Sequence, residues 1–426
     1  MSTDLCVLGM GYIGLPTACT FATHGLKVVG VDVNQRVVDL LRNGEPHIQE
    51  PGLRALVKDA VRSGNLSITD EPTEADAFLI AVPTPIQGDK RADLSYVRSA
   101  AESIVAWLRK GNLVVLESTC PPGTTANVLA PILAKSGLRP SEDFHLVYSP
   151  ERVLPGKILT ELVENSRVVG GIDSASAEAG RGLYRRFVQG EIILTDATTA
   201  ELVKLMENTY RDVNIAVANE FARLAEGLGV DVWHAIELAN RHPRVQILRP
   251  GPGVGGHCIS IDPWFLVEAD PASAALIKQA RVTNDSQPAH VVELIRQAAG
   301  GRLEGLRVAA LGLAYKADVD DLRESPALAV ASGLAASGAT VRTYEPMAAS
   351  AMAPGAEAAA SLAEALEGAD AVVLLVDHRE LIDLDPAMAA GLMKGRLAFD
   401  TRGRWISDVW RAAGFDFHLL GAPPHG

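Results

Sequence analysis

Cysteine is scarce in this chain. There are four in 426 residues, Cys6, Cys19, Cys120 and Cys258, and no CxxC pair among them. That spacing excludes a zinc-ribbon type of site, so no metal is expected. So few thiols in so long a chain fit a reducing, cytoplasmic setting rather than a disulfide scaffold. Long apolar runs are missing too: none approaches the roughly 20 residues that cross a bilayer. The opening stretch, MSTDLCVLGMGYIGLP, has no basic leader and breaks on glycines, unlike a signal peptide. No membrane partner is expected. Basic charge is in deficit, the formal net charge being −13, which argues against nucleic acid as a partner. An anionic small ligand needs only a few well-placed cations and stays open. The remaining composition, 48% hydrophobic and 21% charged, is that of a soluble globular protein, and the length suffices for two or three domains.

The first part of the chain alternates short apolar runs with helix-like segments. DLCVLGM, KVVGVD, AFLIAV, NLVVLES, FHLVYS and EIILTD read as strands, with TACTFATHG and NQRVVDLLRNG among the helices between them. That alternation predicts a doubly wound parallel sheet. From Thr198 the pattern changes to a helix of about thirty residues with no internal Pro and no Gly before Gly227, with Thr198 or Thr199 as N-cap and Glu201 in its first turn. After GGRLEG the alternation resumes with LRVAALGL, ATVRTYEP, DAVVLLVD and RLAFDTRG; the Ala-rich 349–368 reads as surface helix. The expected fold class is α/β, two Rossmann-like doubly wound domains joined by a central helical region. The expected boundaries are 1–196, 197–296 and 297–426.

GMGYIG, Gly9 to Gly14 with Tyr12 and Ile13 inside it, follows the first strand and opens a helix. In that context Gly9 allows the tight turn, Gly11 admits a pyrophosphate and Gly14 lets helix and strand approach; the amides of the helix N-terminus face the phosphates. Asp32, at the end of the second strand, is placed for the ribose hydroxyls. It selects NAD over NADP, although Arg36 nearby could greet a 2′-phosphate. Further strands end in VPTP (Thr84), ESTCPPGTT (Thr119, Thr125) and SPER (Glu151, Arg152). Ligands of open α/β sheets bind beyond these carboxyl ends.

On the long helix Lys204, Asn208 and Arg211 share one face; the plain alternative is a solvated polar stripe. In NRHPRVQILRPGPGVGGHCISIDPWF, four glycines (251, 253, 255, 256) bring backbone close to a ligand. Arg241, His242, Arg244 and Arg249 add cations or donors. Cys258 and Asp262 follow. A lone cysteine is usually inert packing, but a thiol among glycines and cations is one whose pKa falls.

GMGYIGLPTA, VPTP, ESTCPPGTT, SPERVLPGK, KLMENTYRDVNIAVANE, GPGVGGHCISIDPW and GLAYKADVDDLRESPA occur in this order. Together they resemble the UDP-glucose/GDP-mannose dehydrogenase family over essentially the whole chain. RHPRV with GGHC and DPWF is most similar to its UDP-N-acetyl-D-mannosamine branch. The alternatives are UDP-N-acetylglucosamine or another UDP-sugar. The resemblance implies a four-electron oxidation of a sugar C6 alcohol to a carboxylate, using two NAD⁺ per sugar and no metal. It implies that Cys258 is the nucleophile carrying a thiohemiacetal and then a thioester. Lys204 and Asn208 would serve the oxygen at C6, Asp262 would position water or Lys204, Glu151 would be the base for hydrolysis and Thr119 would order water. Arg152, Val153, Arg211, His242, Arg244, Gly253 and Lys316 would join Lys204 and Asn208 around the UDP-sugar, and Arg323 would reach the NAD pyrophosphate. The site would lie in the cleft between domains, and the long helix would form a homodimer or larger oligomer. Cys120 beside Thr119 departs from the family's needs. The rivals, a two-electron β-hydroxyacid dehydrogenase and a non-catalytic NAD-binding protein, need neither Cys258 nor a second α/β domain.

Overall fold

The computed structural model describes residues 3–348 and 350–423. The chain divides into two compact units. One takes in the residues up to Glu207 together with Trp264–Ser273; the other takes in Asn208–Pro263 and the residues from Ala274 onward.

The first unit is built on an eight-stranded sheet. Its strands are β1 (Leu5–Leu8), β2 (Val28–Val31), β3 (Leu66–Thr69), β4 (Ala77–Ile80), β5 (Leu113–Leu116), β6 (His145–Tyr148), β7 (Arg167–Gly171) and β8 (Ile192–Asp196). They lie in the order β3-β2-β1-β4-β5-β6-β7-β8, and the β6–β7 pair is the antiparallel one. Leu5 and Val7 of β1 face one core while Cys6 and Leu8 face another. A strand covered on both faces needs apolar side chains at every position, which is why these strands read as unbroken apolar runs.

The second unit holds a six-stranded sheet: β9 (Arg307–Leu311), β10 (Thr340–Tyr344), β11 (Glu357–Ala358), β12 (Ala371–Leu374), β13 (Leu397–Asp400) and β14 (Asp416–Leu419). Its order is β11-β10-β9-β12-β13-β14 and its pairs are parallel. Both sheets thus share one winding. The chain moves outward from β1 to β3 and returns to β4, and it repeats this from β9 to β11 and β12. The gaps between β1 and β4 and between β9 and β12 are the switch points where such sheets bind ligands. The expected fold class is the one adopted.

A continuous helix runs from Ala197 to Leu228. At about 1.5 Å per residue it is roughly 48 Å long. Its N-terminus is capped by Asp196, not by Thr198 or Thr199 as the sequence suggests. The Thr199 amide donates to Asp196 Oδ1 at 2.8 Å and the Thr199 hydroxyl to Oδ2 at 2.6 Å. Gly229 follows its end with φ +69°. The helices Val232–Ala239, Asp262–Ala269, Ala275–Asp285 and Gln287–Ala298 complete the central segment.

The Ala-rich stretch 349–368 is not a surface helix. Ala349 lies outside the described residues. Of the rest, only Leu362–Leu366 is helical, Glu357–Ala358 pairs as the edge strand β11, and Ala351, Ala353 and Ala359 are buried. Small side chains here let irregular backbone pack closely on the second sheet, and that packing outweighs alanine's helix propensity.

Candidate active site

The turn after β1 is shaped for a dinucleotide. Gly9 has φ +92°, and a Cβ there would meet the Ala81 carbonyl at 2.6 Å. A Cβ at Gly14 would strike the Gly9 carbonyl, so helix and turn are in backbone contact. A Cβ at Gly11 meets nothing within 4 Å. Open space at the helix N-terminus is what an approaching pyrophosphate requires. Asp32 accepts from the Met10 amide at 3.0 Å and from Asn34 at 2.9 Å, which ties the end of β2 to the glycine turn. Arg36 is exposed, and Tyr12 and Ile13 are half-buried. These residues fit NAD.

The loop after β5 is gripped from behind. Glu201, fully buried in the long helix, accepts from the Thr125 amide at 2.7 Å, the Thr125 hydroxyl at 2.6 Å and the Gly123 amide at 2.5 Å. Burial pushes its carboxyl up, and these donors pull it back. Thr125 is 0% exposed, so its hydroxyl serves this clamp. Cys120 is buried, with its thiol 3.8 Å from Glu201. Thr119 and Thr84 remain half-buried on the loops that follow β5 and β4.

After β6, Glu151 accepts from the Arg152 amide at 2.6 Å and from the Arg167 guanidinium. Arg152 reaches Glu207 at 2.8 Å and the Ser166 carbonyl. Val153 packs on the first core.

On the long helix Lys204 and Asn208 are half-buried and Arg211 is exposed. Lys204 belongs to the first unit, while Asn208, Cys258 and Asp262 belong to the second. The Asn208 side-chain amide donates to Asp262 Oδ2 at 2.5 Å, and Asp262 is 2% exposed. The Asp262 amide donates back to the Cys258 carbonyl at 2.8 Å, so Cys258 and Asp262 are one helical turn apart. Three of the four cysteines are buried. Burial pushes the Cys6 thiol up to about 11 and the Cys19 thiol up to about 12. Cys258 is the partly exposed one.

The loop that carries Cys258 lies flat against the segment after β9. A Cβ at Gly255 would meet the Glu324 carbonyl at 2.6 Å, and one at Gly256 the Tyr315 ring at 2.9 Å. The Gly256 amide donates to the Arg323 carbonyl at 3.0 Å. Gly253 (φ +140°) lies against Pro326. The same segment carries Lys316, exposed, and Arg323, paired with Asp321 at 2.6 Å. Its non-glycine residues Asp318 and Glu324 have positive φ, 59° and 50°, a local strain of the kind found at ligand-holding loops. His242 and Arg244 are exposed, and the Arg244 amide donates to His242 Nδ1 at 3.3 Å.

Several residues that shape the site escaped the sequence. Glu201 is one. Another set is a buried polar chain: Arg281 to Asp212, Asn284 to Asp212 at 2.8 Å, Asn219 to Asn284 at 3.0 Å, and the Gly251 amide to Asn219 at 2.9 Å. It ties the glycine loop to the long helix. The available signal was polar residues (Asp212, Asn219, Asn284) interrupting apolar helix faces.

The sheet order, the turn at Gly9 and Asp32 at the end of β2 define a dinucleotide-binding protein of the doubly wound class. The chain belongs to the UDP-glucose/GDP-mannose dehydrogenase family: its NAD binding domain matches residues 3–188, its central domain 198–286 and its UDP binding domain 309–406. The chain is 48% identical over 425 residues to the UDP-N-acetyl-D-mannosamine dehydrogenase of Methanococcus maripaludis, covering 98% of this chain and 96% of that one. It is 48% identical over 413 residues to the NDP-N-acetyl-D-galactosaminuronic acid dehydrogenase of Ralstonia nicotianae, covering 94% and 95%. The UDP-D-ManNAc dehydrogenase structure from Pyrococcus horikoshii superposes with a TM-score of 0.91 at 42% identity, covering 98% of this chain and 99% of that one. The chain is therefore an NAD-dependent dehydrogenase. Among the described residues no helix is long and apolar enough to cross a membrane.

Proposed function

We propose that the chain oxidises the C6 primary alcohol of UDP-N-acetyl-D-mannosamine to the carboxylate of UDP-N-acetyl-D-mannosaminuronate. The observation that carries this is Cys258. It is the one partly exposed cysteine, and its loop is fixed on one side by Asn208–Asp262 and on the other by Tyr315 and Arg323. A packing thiol needs no such framing. Near full-length similarity to UDP-N-acetyl-D-mannosamine dehydrogenases supports the sugar.

NAD, held by Gly9–Gly14, Asp32, Thr84 and Arg323, accepts a hydride when bound, and a four-electron oxidation uses it twice. Lys204 takes the proton from the C6 hydroxyl as the carbon is oxidised to the aldehyde. The Cys258 thiol adds to that aldehyde, giving a thiohemiacetal whose oxygen is held by Lys204 and the Asn208 amide. The second oxidation leaves a thioester on Cys258. Water, ordered by Thr119 and deprotonated by Glu151, adds to the acyl carbon; the C–S bond breaks and the thiol is restored. In sum one alcohol, two NAD⁺ and one water give one carboxylate, two NADH and three protons. Asp262 keeps the Asn208 amide aimed. Arg152, Val153, Arg211, His242, Arg244, Gly253 and Lys316 hold the UDP-sugar. The segments 1–196, 197–296 and 297–426 then divide the labour into cofactor, catalytic helix and nucleotide-sugar parts.

The long helix has a second face. Met206, Tyr210, Val217, Phe221, Leu224 and Leu228 are exposed and, at about 100° per residue, lie within about 60° of one another around its axis. Lys204, Asn208 and Arg211 lie on the opposite side. An exposed apolar stripe of this extent calls for a partner, and we assign it to a homodimer or larger homo-oligomer. Four cysteines in 426 residues suit a cytoplasmic setting rather than a disulfide scaffold.

The test is NADH formed per sugar consumed, over UDP-N-acetyl-mannosamine, -galactosamine and -glucosamine and UDP-glucose. Two NADH per sugar with the manno epimer preferred is the expected result; one per sugar removes the thioester mechanism. The Ralstonia relative makes the galacto epimer the second reading, and its preference would replace the manno assignment. Cys258→Ala should bind NAD yet form no acid.

A further inference from the structure

Glu151 ends in a buried charge cluster of the first unit whose other members the mechanism above does not use. Arg167, 4% exposed at the start of β7, lies between two carboxylates. Its guanidinium donates to Glu117 Oε1 at 2.9 Å, to the Ser149 hydroxyl at 3.3 Å and to Glu151 Oε2. The Tyr184 hydroxyl donates to the same Glu117 oxygen at 2.6 Å, and its ring lies 4.3 Å below the guanidinium. The Glu117 side chain is 0% exposed and that of Glu151 9%. One cation thus faces two carboxylates, one fully buried and one largely buried. A structural ion pair needs one acid and gains little over apolar packing; the second acid here is a surplus negative charge. Burial and the neighbouring Glu151 push Glu117 up to about 7 against the pull of Arg167.

We propose that Arg167 and Glu117 are positioning residues for Glu151. Arg167 aims the Glu151 carboxylate, and Glu117 supplies the counter-charge to Arg167 when Glu151 takes a proton from water. This rests on the reading of Glu151 as the base of thioester hydrolysis. The step is R–CO–S–Cys258 plus water giving R–COO⁻, the Cys258 thiol and a proton. The water O–H bond breaks toward Glu151, the new C–O bond forms and the C–S bond breaks. As Glu151 becomes neutral, Arg167 would stand unpaired in the interior unless a second carboxylate faced it. Glu117 is that carboxylate.

The consequence is a pair of opposite shifts. Removing Glu117 leaves Arg167 alone to favour the Glu151 carboxylate, so the acidic limb of the kcat profile moves to lower pH. Removing Arg167 leaves Glu151 beside Glu117, so the limb moves to higher pH. Each shift should be about one pH unit.

The experiment is rapid-mixing of the full-length enzyme with NAD⁺ and UDP-N-acetyl-mannosamine, for Glu117→Gln, Arg167→Met, Tyr184→Phe and Glu151→Gln, with kcat and KM against pH. Expected are a burst of two NADH per site, a steady state slowed about tenfold or more, a KM for the sugar that falls along with kcat, and the opposite limb shifts. Loss of the burst, a raised KM, or parent-like limbs in Glu117→Gln would reduce the cluster to a structural role. If Arg167→Met does not fold, Glu117→Gln decides. A Glu151→Gln enzyme that hydrolyses at the parent rate would instead sink the reading on which the proposal stands, whatever the other variants do.

Discussion

The Asn208 side-chain amide donates to the Asp262 carboxylate at 2.5 Å, joining the long helix to the residue one turn beyond Cys258. A carboxylate accepts only, so the bond fixes which end of the amide faces Asp262. The second Nδ2 hydrogen is then held in one direction. A donor aimed in advance at developing negative charge stabilises it without reorganising.

The first prediction follows. Asn208→Ala should lower kcat by about 10²–10³ with little change in KM for NAD. Asp262→Ala should give a similar loss, because the Asn208 amide loses its orientation, and the double variant should cost little more than either single one. Steady-state kinetics of the three variants checks this. Additive losses would show that the two act separately.

The exposed stripe on the long helix predicts an oligomer that charge can split. Tyr210 and Phe221 are 69% and 40% exposed and lie on the same side. Tyr210→Asp with Phe221→Asp would set like charges against an apolar partner face, so light scattering should report a smaller species than the parent at the same concentration. An unchanged mass would show that the stripe is not the contact.

The strands were legible where both faces are buried: β1, β2, β4 and β5 are apolar at every position because cores lie above and below them. β3, LSIT, was not, because its Ser67 is exposed and the apolar run breaks. β7 opens on Arg167 and ends on two glycines, a composition that reads as loop until the buried partners of that arginine are known. Cys258, Asp262, Lys204 and Asn208 stood out because glycine spacing and helix periodicity are local signals. Glu201 and Glu117 did not. An acid in a first turn reads as a helix-dipole complement, and nothing local tells that Glu201 closes on a loop 76 residues away in the chain.

That closure is a stability device with a definite cost of removal. Glu201 meets two amides and a hydroxyl, and Gln would turn an NH₂ group toward donors at one or more of these positions. Glu201→Gln should lose about 1–3 kcal/mol per group left unsatisfied. It should also free the Cys120 thiol from its buried neighbour. Thermal melting, with maleimide labelling of a Cys258→Ala background, measures both. A parent-like melting temperature would show that the loop holds without the clamp.

Glu117 gives the pH dependence its sign. Its native carboxyl lies at about 7, raised from 4.5 by burial. Between those values the folded protein holds a proton that the unfolded chain has released, so stability falls as pH rises. The contribution is complete below 4.5 and lost as pH passes through about 7. Glu117→Gln cannot titrate and keeps an amide hydrogen-bonded to the Tyr184 hydroxyl. Its melting temperature should therefore fall less than the parent's across that window, with the two curves converging at the acid end. Curves that stay parallel from pH 4.5 to 7 would mean that Arg167 holds Glu117 ionised throughout. The buried surplus charge would then have to be offset elsewhere in the cluster.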